Sequence, residues 1–275
     1  MIKRSFIKEY NFKPKLRDVE VDGKGLLLSI DSSNKSSAKL FSFLSEENKV
    51  SNLLNLLEEK DRNLYEVIRD GYKIKPFIDF DCKDVDKYDF SDCINFILEL
   101  ENQIENVIRL TNSKLTESVQ FGVYTSSTKD KLSFHIIVLN YYVISTLECK
   151  QLILKSIDRL KYQPLSKYID MKIYNNNRSF RLLGCTKTSR LAFKKSYEDE
   201  EINQHKVYED SLITQVNEDS IKIHIEVDTK VKSISKSISI NDEKINVILS
   251  NLNIVRFVDY NEWIKLLFIL KAQPL

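Results

Sequence analysis

The chain has 275 residues, 42% of them apolar and 30% charged, enough for one large domain or two smaller ones with a buried core. The net charge is only +2, so bulk charge selects neither for nor against nucleic acid, and any basic surface must be local. Four scattered cysteines without a Cys-x-x-Cys pair argue against a zinc site. No apolar run reaches the roughly 18–20 residues of a membrane span, and no signal-peptide core follows Met1–Ser5, so a reducing, intracellular setting is expected.

The first 25 residues are mixed and polar, closing on the turn signal Asp22-Gly23-Lys24-Gly25. Alternation predicts strands over Leu26–Ile30 and Lys39–Leu44. Ser45 is read as the N-cap of a helix carrying Val50, Leu53, Leu54 and Leu57. A strand over Leu64–Ile68 leads through Gly71 to a second strand, Phe77–Cys82, entered at Pro76. Ser91 then caps a long helix with the stripe Ile94, Ile97, Leu98, Ile104, Val107 and Ile108. Strands are expected over Val119–Thr125 and Lys131–Asn140, and a helix capped by Thr146 runs towards Pro164. Ile169–Tyr174 and Ser179–Leu183 read as strands around Asn175-Asn176-Asn177, and Leu191–Lys194 and Lys206–Tyr208 as short ones. Asp210–Val216 reads as a brief helical turn and Ile221–Val227 as the last strand. Residues 228–240 are Ser/Lys-rich and read as a linker, and 241–275 have helical spacing. Strands interleaved with helices predict an α+β (mixed α/β) fold.

Three constellations carry chemistry. In Phe77-Ile78-Asp79-Phe80-Asp81, alternation puts Asp79 and Asp81 on one strand face, Cα atoms roughly 6–7 Å apart. Adjacent carboxylates in an apolar strand repel and resist desolvation. Either a divalent cation joins them or the strand lies at a wet edge. In Lys131-Leu132-Ser133-Phe134-His135, the same alternation aligns Lys131, Ser133 and His135, an ammonium, a hydroxyl and an imidazole suited to a polyphosphate. The third runs from Asp170 through Arg178 and Arg181 to Lys187. There a lone acid that could reach the first two is followed by positive charge; a turn residue and a solvated basic face are the plainer readings. Lys187, Arg190, Lys194 and Lys195 could form a basic strip on template phosphates, or a charged surface balanced by Glu198–Glu201.

This ordered set, Asp-x-Asp, Ser-x-His, then a lone Asp followed by Tyr174-Asn175-Asn176-Asn177-Arg178-Ser179-Phe180-Arg181-Leu182, resembles the archaeo-eukaryotic primase superfamily. The likeness is to its primase–polymerase branch and to the primase part of poxvirus and giant-virus helicase–primases. It covers roughly residues 39–227 and includes Glu209–Thr214. The resemblance implies a catalytic domain over 1–227, and at 241–275 the start of a segment leading to a helicase, fused or separate. It implies a DNA primase working by template-directed nucleotidyl transfer in viral replication, with a cytoplasmic site favoured over the nucleus. Asp79, Asp81 and Asp170 would be catalytic and hold two Mg²⁺ or Mn²⁺ ions, with no zinc. Lys131, Ser133, His135, Arg178, Arg181 and Lys187 would bind the nucleoside triphosphate, and Arg190, Lys194 and Lys195 the single-stranded DNA. A metal-dependent nuclease and a non-catalytic nucleic-acid-binding module are the competing readings.

Overall fold

The computed structural model describes residues 4–21, 25–32, 38–45, 50–112, 117–187, 192–197 and 208–227. All belong to the first of two compact units, Met1–Val227, the second being Asp228–Leu275. The linker and helices expected at 228–240 and 241–275 lie outside the described residues, as do Arg190 and Lys206.

Two four-stranded antiparallel sheets dominate an α+β fold. The first sheet has the order β2-β1-β3-β8, from β1 (Gly25–Asp31), β2 (Lys39–Ser45), β3 (Leu64–Ile68) and β8 (Arg178–Arg181). The second has the order β4-β6-β5-β9, from β4 (Phe77–Cys82), β5 (Phe121–Thr125), β6 (Leu132–Val138) and β9 (Lys195–Ser196). A short parallel pair, β7 (Tyr141–Tyr142) with β10 (Ile221–Lys222), stands apart; pairing ends at Lys222, well short of the expected Val227.

Each sheet has its own apolar core. One face of the first sheet (Leu26, Leu28, Ile30, Leu64) packs with Phe6 of α1 (Arg4–Glu9) and with Leu53 and Leu54 of α2 (Val50–Asn55). Helix α1 falls where sequence gave only a mixed polar stretch. Ser45 ends β2 rather than capping α2. In the second sheet, Ile78, Phe80, Phe134, Ile136 and Val123 lie over α3 (Phe90–Thr111) and α4 (Thr146–Ile157). Helix α3 starts two residues earlier than expected. Asp89 and Asp92 form a reciprocal capping box, with Asp89 Oδ1 accepting from Asp92 N at 2.8 Å and Asp92 Oδ2 from Asp89 N at 3.0 Å. Ser145, not Thr146, caps α4.

On the buried side of α3, Glu101 interrupts the stripe Ile97, Leu100, Ile104 and Ile108. Its Oε1 meets no hydrogen-bond partner, and burial pushes its carboxyl up to about 8. A carboxyl raised on folding favours the native state fully below its unfolded pKa and loses that advantage as pH rises through the folded one. Stability should therefore fall between about pH 4.5 and 8. Glu101→Gln is expected to remove this slope, gaining roughly 5 °C or more in Tm at pH 9 and little at pH 4, by thermal scans at both.

Candidate functional site

The candidate side chains gather where the face of β4 and β6 turned away from α3 and α4 meets β8. β4 and β6 pair with Asp79 opposite His135 and Asp81 opposite Ser133. Alternation on each strand thus becomes a two-by-two array across the ladder, with Ile78, Phe80 and Phe134 turned to the core. Ser133 Oγ donates to Asp81 Oδ1 at 2.7 Å, and Lys131 Nζ lies 2.6 Å from the same oxygen. His135 Nε2 is 3.5 Å from Asp79 Oδ1.

Burial raises the Asp79 carboxyl, Asp81 raises it further, and Lys131 and Lys187 pull it back. Asp81 is held below the usual carboxylate range: burial alone would raise it, but the hydrogen bonds from Lys131 and Ser133 and the charges of Lys131 and Lys187 outweigh that. One acid is comfortable as an anion only because an ammonium sits on it, and its neighbour lacks such a partner. Burial, and then the charges of Lys194, Arg181, Lys187 and Lys131, hold the His135 imidazole well below its ordinary range, so it stays neutral.

Asp170 arrives by a different route from the one expected. Residues Met171–Tyr174 form a 3-10 turn, not a strand, and the Asp170 carboxylate caps it by accepting from Lys172 N at 2.9 Å. Its backbone still docks on the acidic strand: Asp170 N donates to Asp79 O at 2.8 Å, and Ile169 bridges Phe80. Asp170 is close enough for its charge to raise Asp79. The three acids are neighbours, but among the described residues no three His, Cys, Asp or Glu side chains form a ready-made metal cage.

The far wall comes from β8. Phe180 is buried, with its ring 4.2 Å from His135 and 5.3 Å from Phe77. Arg181 is 7% exposed; its Nη1 donates to Ala192 O at 3.0 Å, and its Nε has no hydrogen-bond partner. Lys187 is exposed, and its charge bears on Asp79, Asp81, Lys131 and Arg181. Arg178 is exposed at the start of β8.

The basic strip needs correcting. Lys194 is only 1% exposed: its Nζ donates to Arg181 O at 2.9 Å and lies 4.5 Å from the Phe180 ring centroid. A template phosphate cannot reach it. Lys195 is exposed, and Arg190 lies outside the described residues. Two groups at this junction were missed by sequence reasoning. Glu66, fully buried on β3, was signalled by a charge inside the apolar run Leu64–Ile68. Lys39 had no local signal, since its neighbours come from other strands.

No family model matches the chain. It is 31% identical over 142 residues to Uncoating factor OPG117 of monkeypox virus, and equally to the proteins of that name in vaccinia virus (strain Western Reserve) and variola virus. The likeness is to a poxvirus protein. It covers 45% of this chain and 17% of each relative, so the chain spans under a fifth of their length. These relatives bear the name uncoating factor, not primase or helicase–primase. The identification as a DNA primase or primase–polymerase of viral replication is therefore corrected. The comparison supports a viral protein. No described helix is long and apolar enough to cross a membrane.

Oxygen donors alone face the Asp79–Asp81 pair from the acids, which suits a hard divalent cation such as Mg²⁺ or Mn²⁺. An ammonium already stands in for such a cation at 2.6 Å from Asp81 Oδ1. Asp79 and Asp81 would hold the ion, and Asp170 could join through Oδ2, since its cap on Lys172 N uses Oδ1.

Proposed function

We propose that this junction is a divalent-cation-dependent site for transferring a nucleotidyl or phosphoryl group from a nucleoside triphosphate. The observation that carries the reading is the paired carboxylates directly against a cationic group, Lys131, Arg181 and Lys187, at one place. A cation site adjoining an anion site is what a metal–polyphosphate complex requires. When bound, the cation would neutralise charge on the phosphates and polarise the reacting one. The protein's share is positioning and electrostatics. Lys131 and Lys187 supply point charges, Arg181 a fixed guanidinium, and Ser133 a hydroxyl donor that must leave Asp81 to reach a phosphate. The neutral His135 adds no charge; pinned between Asp79 and Phe180, it orients Asp79. Single-stranded DNA would lie along the exposed Arg178 and Lys195, in an intracellular setting.

Lys131 sits on both halves of this site, so its removal separates them. Lys131→Ala should strengthen Mn²⁺ binding several-fold, because the ammonium no longer competes for Asp81. It should weaken ATP binding about 10-fold or more, because a phosphate contact is lost. Mn²⁺ titration by electron paramagnetic resonance and ATP titration by calorimetry read the two effects separately. A wild-type chain that binds no ATP in the presence of Mn²⁺ would sink the reading.

A further inference from the structure

The face of the first sheet turned away from its core carries a second set of polar groups. Lys39 on β2 stands opposite Asp31 on β1, with Nζ 3.3 Å from Asp31 Oδ1. The same Nζ lies 3.4 Å from the centroid of the Tyr65 ring, and Tyr65 Oη donates to Asp31 Oδ2 at 3.0 Å. Tyr65 is in register with Arg181 across the β3–β8 ladder. This places Lys39, Tyr65 and Arg181 on one continuous surface. Lys187 joins it to the acidic strand, since its charge bears on Lys39 as well as on Lys131, Asp79 and Asp81. Lys39 is also half-buried, its side chain 28% exposed.

Four cations thus bear on one junction: Lys131 from the second sheet, Lys39 and Arg181 on one face of the first, and Lys187, whose charge is felt together with each of the other three. Like charges brought together in a partly dry setting repel. They are stable together only if anions interleave. Asp81 answers Lys131 and Asp31 answers Lys39, but both carboxylates hold point-charge ammoniums on flexible stems, which exchange partners readily. A polyphosphate carries several charges and would satisfy all four cations at once. The Tyr65 ring keeps Lys39 aimed along the sheet while it changes partner.

We propose that Lys39 is a further anion-binding residue of the cleft, taking a phosphate of the polyphosphate chain from the wall opposite Lys131, with Asp31 holding its ammonium when no anion is bound. The inference rests on the reading of the junction as a triphosphate site and adds a group from a different sheet to it.

Inorganic tripolyphosphate with Mn²⁺, titrated by calorimetry, tests it without reference to turnover. Lys39→Met is expected to weaken binding about 10-fold, and Lys39→Arg to keep most of it. Asp31→Asn decides the matter even if Lys39→Met folds poorly. If Asp31 competes with the anion, its neutralisation should tighten binding about 3-fold; if Asp31 merely braces the wall, affinity should drop. A wild-type affinity lost in Lys131→Ala but unchanged in Lys39→Met, or weakened in Asp31→Asn, overturns this inference and leaves the triphosphate site standing. Absence of tripolyphosphate binding in the wild type overturns both.

Discussion

Asp81→Ala is expected to reduce Mn²⁺ affinity by about 100-fold or more while the chain stays folded. Loss of groups that merely orient a metal ligand typically costs 10–100-fold, and Asp81 would be a ligand itself. The fold should survive because the strand's other face does the packing: Phe80 and Ile78 are buried with Phe134 and Ile136. Electrostatics also favours survival. Burial and then Asp81 are what raise Asp79, so removing Asp81 lets Asp79 ionise more readily. Lys131, which now holds Asp81 at 2.6 Å, then finds Asp79 as its partner on the same face. The surviving acid is thereby claimed by an ammonium, which deepens the loss of cation affinity. Mn²⁺ titration beside a thermal scan checks both halves. An unchanged Mn²⁺ affinity at unchanged Tm would remove the cation from this strand.

The sheet faces were legible and the ladders were not. Side chains alternate on any strand, so Asp79 with Asp81, and Lys131 with Ser133 and His135, could be grouped from sequence alone. That Asp79 meets His135 and Asp81 meets Ser133 depends on which strands pair and in what register, which no single stretch encodes. Asp170 was misread for a local reason. Its carboxylate takes the Lys172 N–H, and that cap outweighs the β-branched pattern of Ile169 and Ile173. Helix starts slipped in the same way, from Ser91 to Asp89 and from Thr146 to Ser145, because any nearby oxygen side chain competes for a cap. Lys194 was misplaced because lysine is normally wet. Its burial depends on a carbonyl of β8, two aromatic rings and Glu66, all remote in sequence. The likeness of motifs suggested a primase, and the relatives found by comparison carry a different name. Residue types at the right spacing can specify a cation–anion site without specifying the reaction done there.

Glu66→Ala should be among the most damaging single changes in the chain, costing about 3–5 kcal/mol. Glu66 is fully buried on β3, and each carboxylate oxygen is used. Oε1 accepts from Ile213 N at 2.9 Å, while Oε2 accepts from Thr214 N and Thr214 Oγ1, both at 3.0 Å. Every one of these partners is a donor, so the site is built for the ionised acid, although burial pushes its pKa up. The buried Lys75 holds the same strap, Glu209–Thr214, with its Nζ donating to Asp210 O at 3.2 Å and Glu209 O at 3.4 Å. Burial pushes the Lys194 ammonium down to about 7, and the charge of Glu66 offsets part of that fall. Lys194 in turn holds the Arg181 carbonyl and sits over Phe180, which packs on His135. Removing Glu66 therefore strands three donors and a buried ammonium together, and loosens the far wall of the site. Glu66→Gln should not rescue it, because an amide nitrogen would face a donor at Ile213 or Thr214. The double change Glu66→Gln/Lys194→Met should recover about 2 kcal/mol relative to the sum of the single losses, as expected for a coupled pair. Urea denaturation of the four species measures that coupling. Strictly additive losses would mean the two buried groups do not sense each other and that the strap and the site wall are held independently.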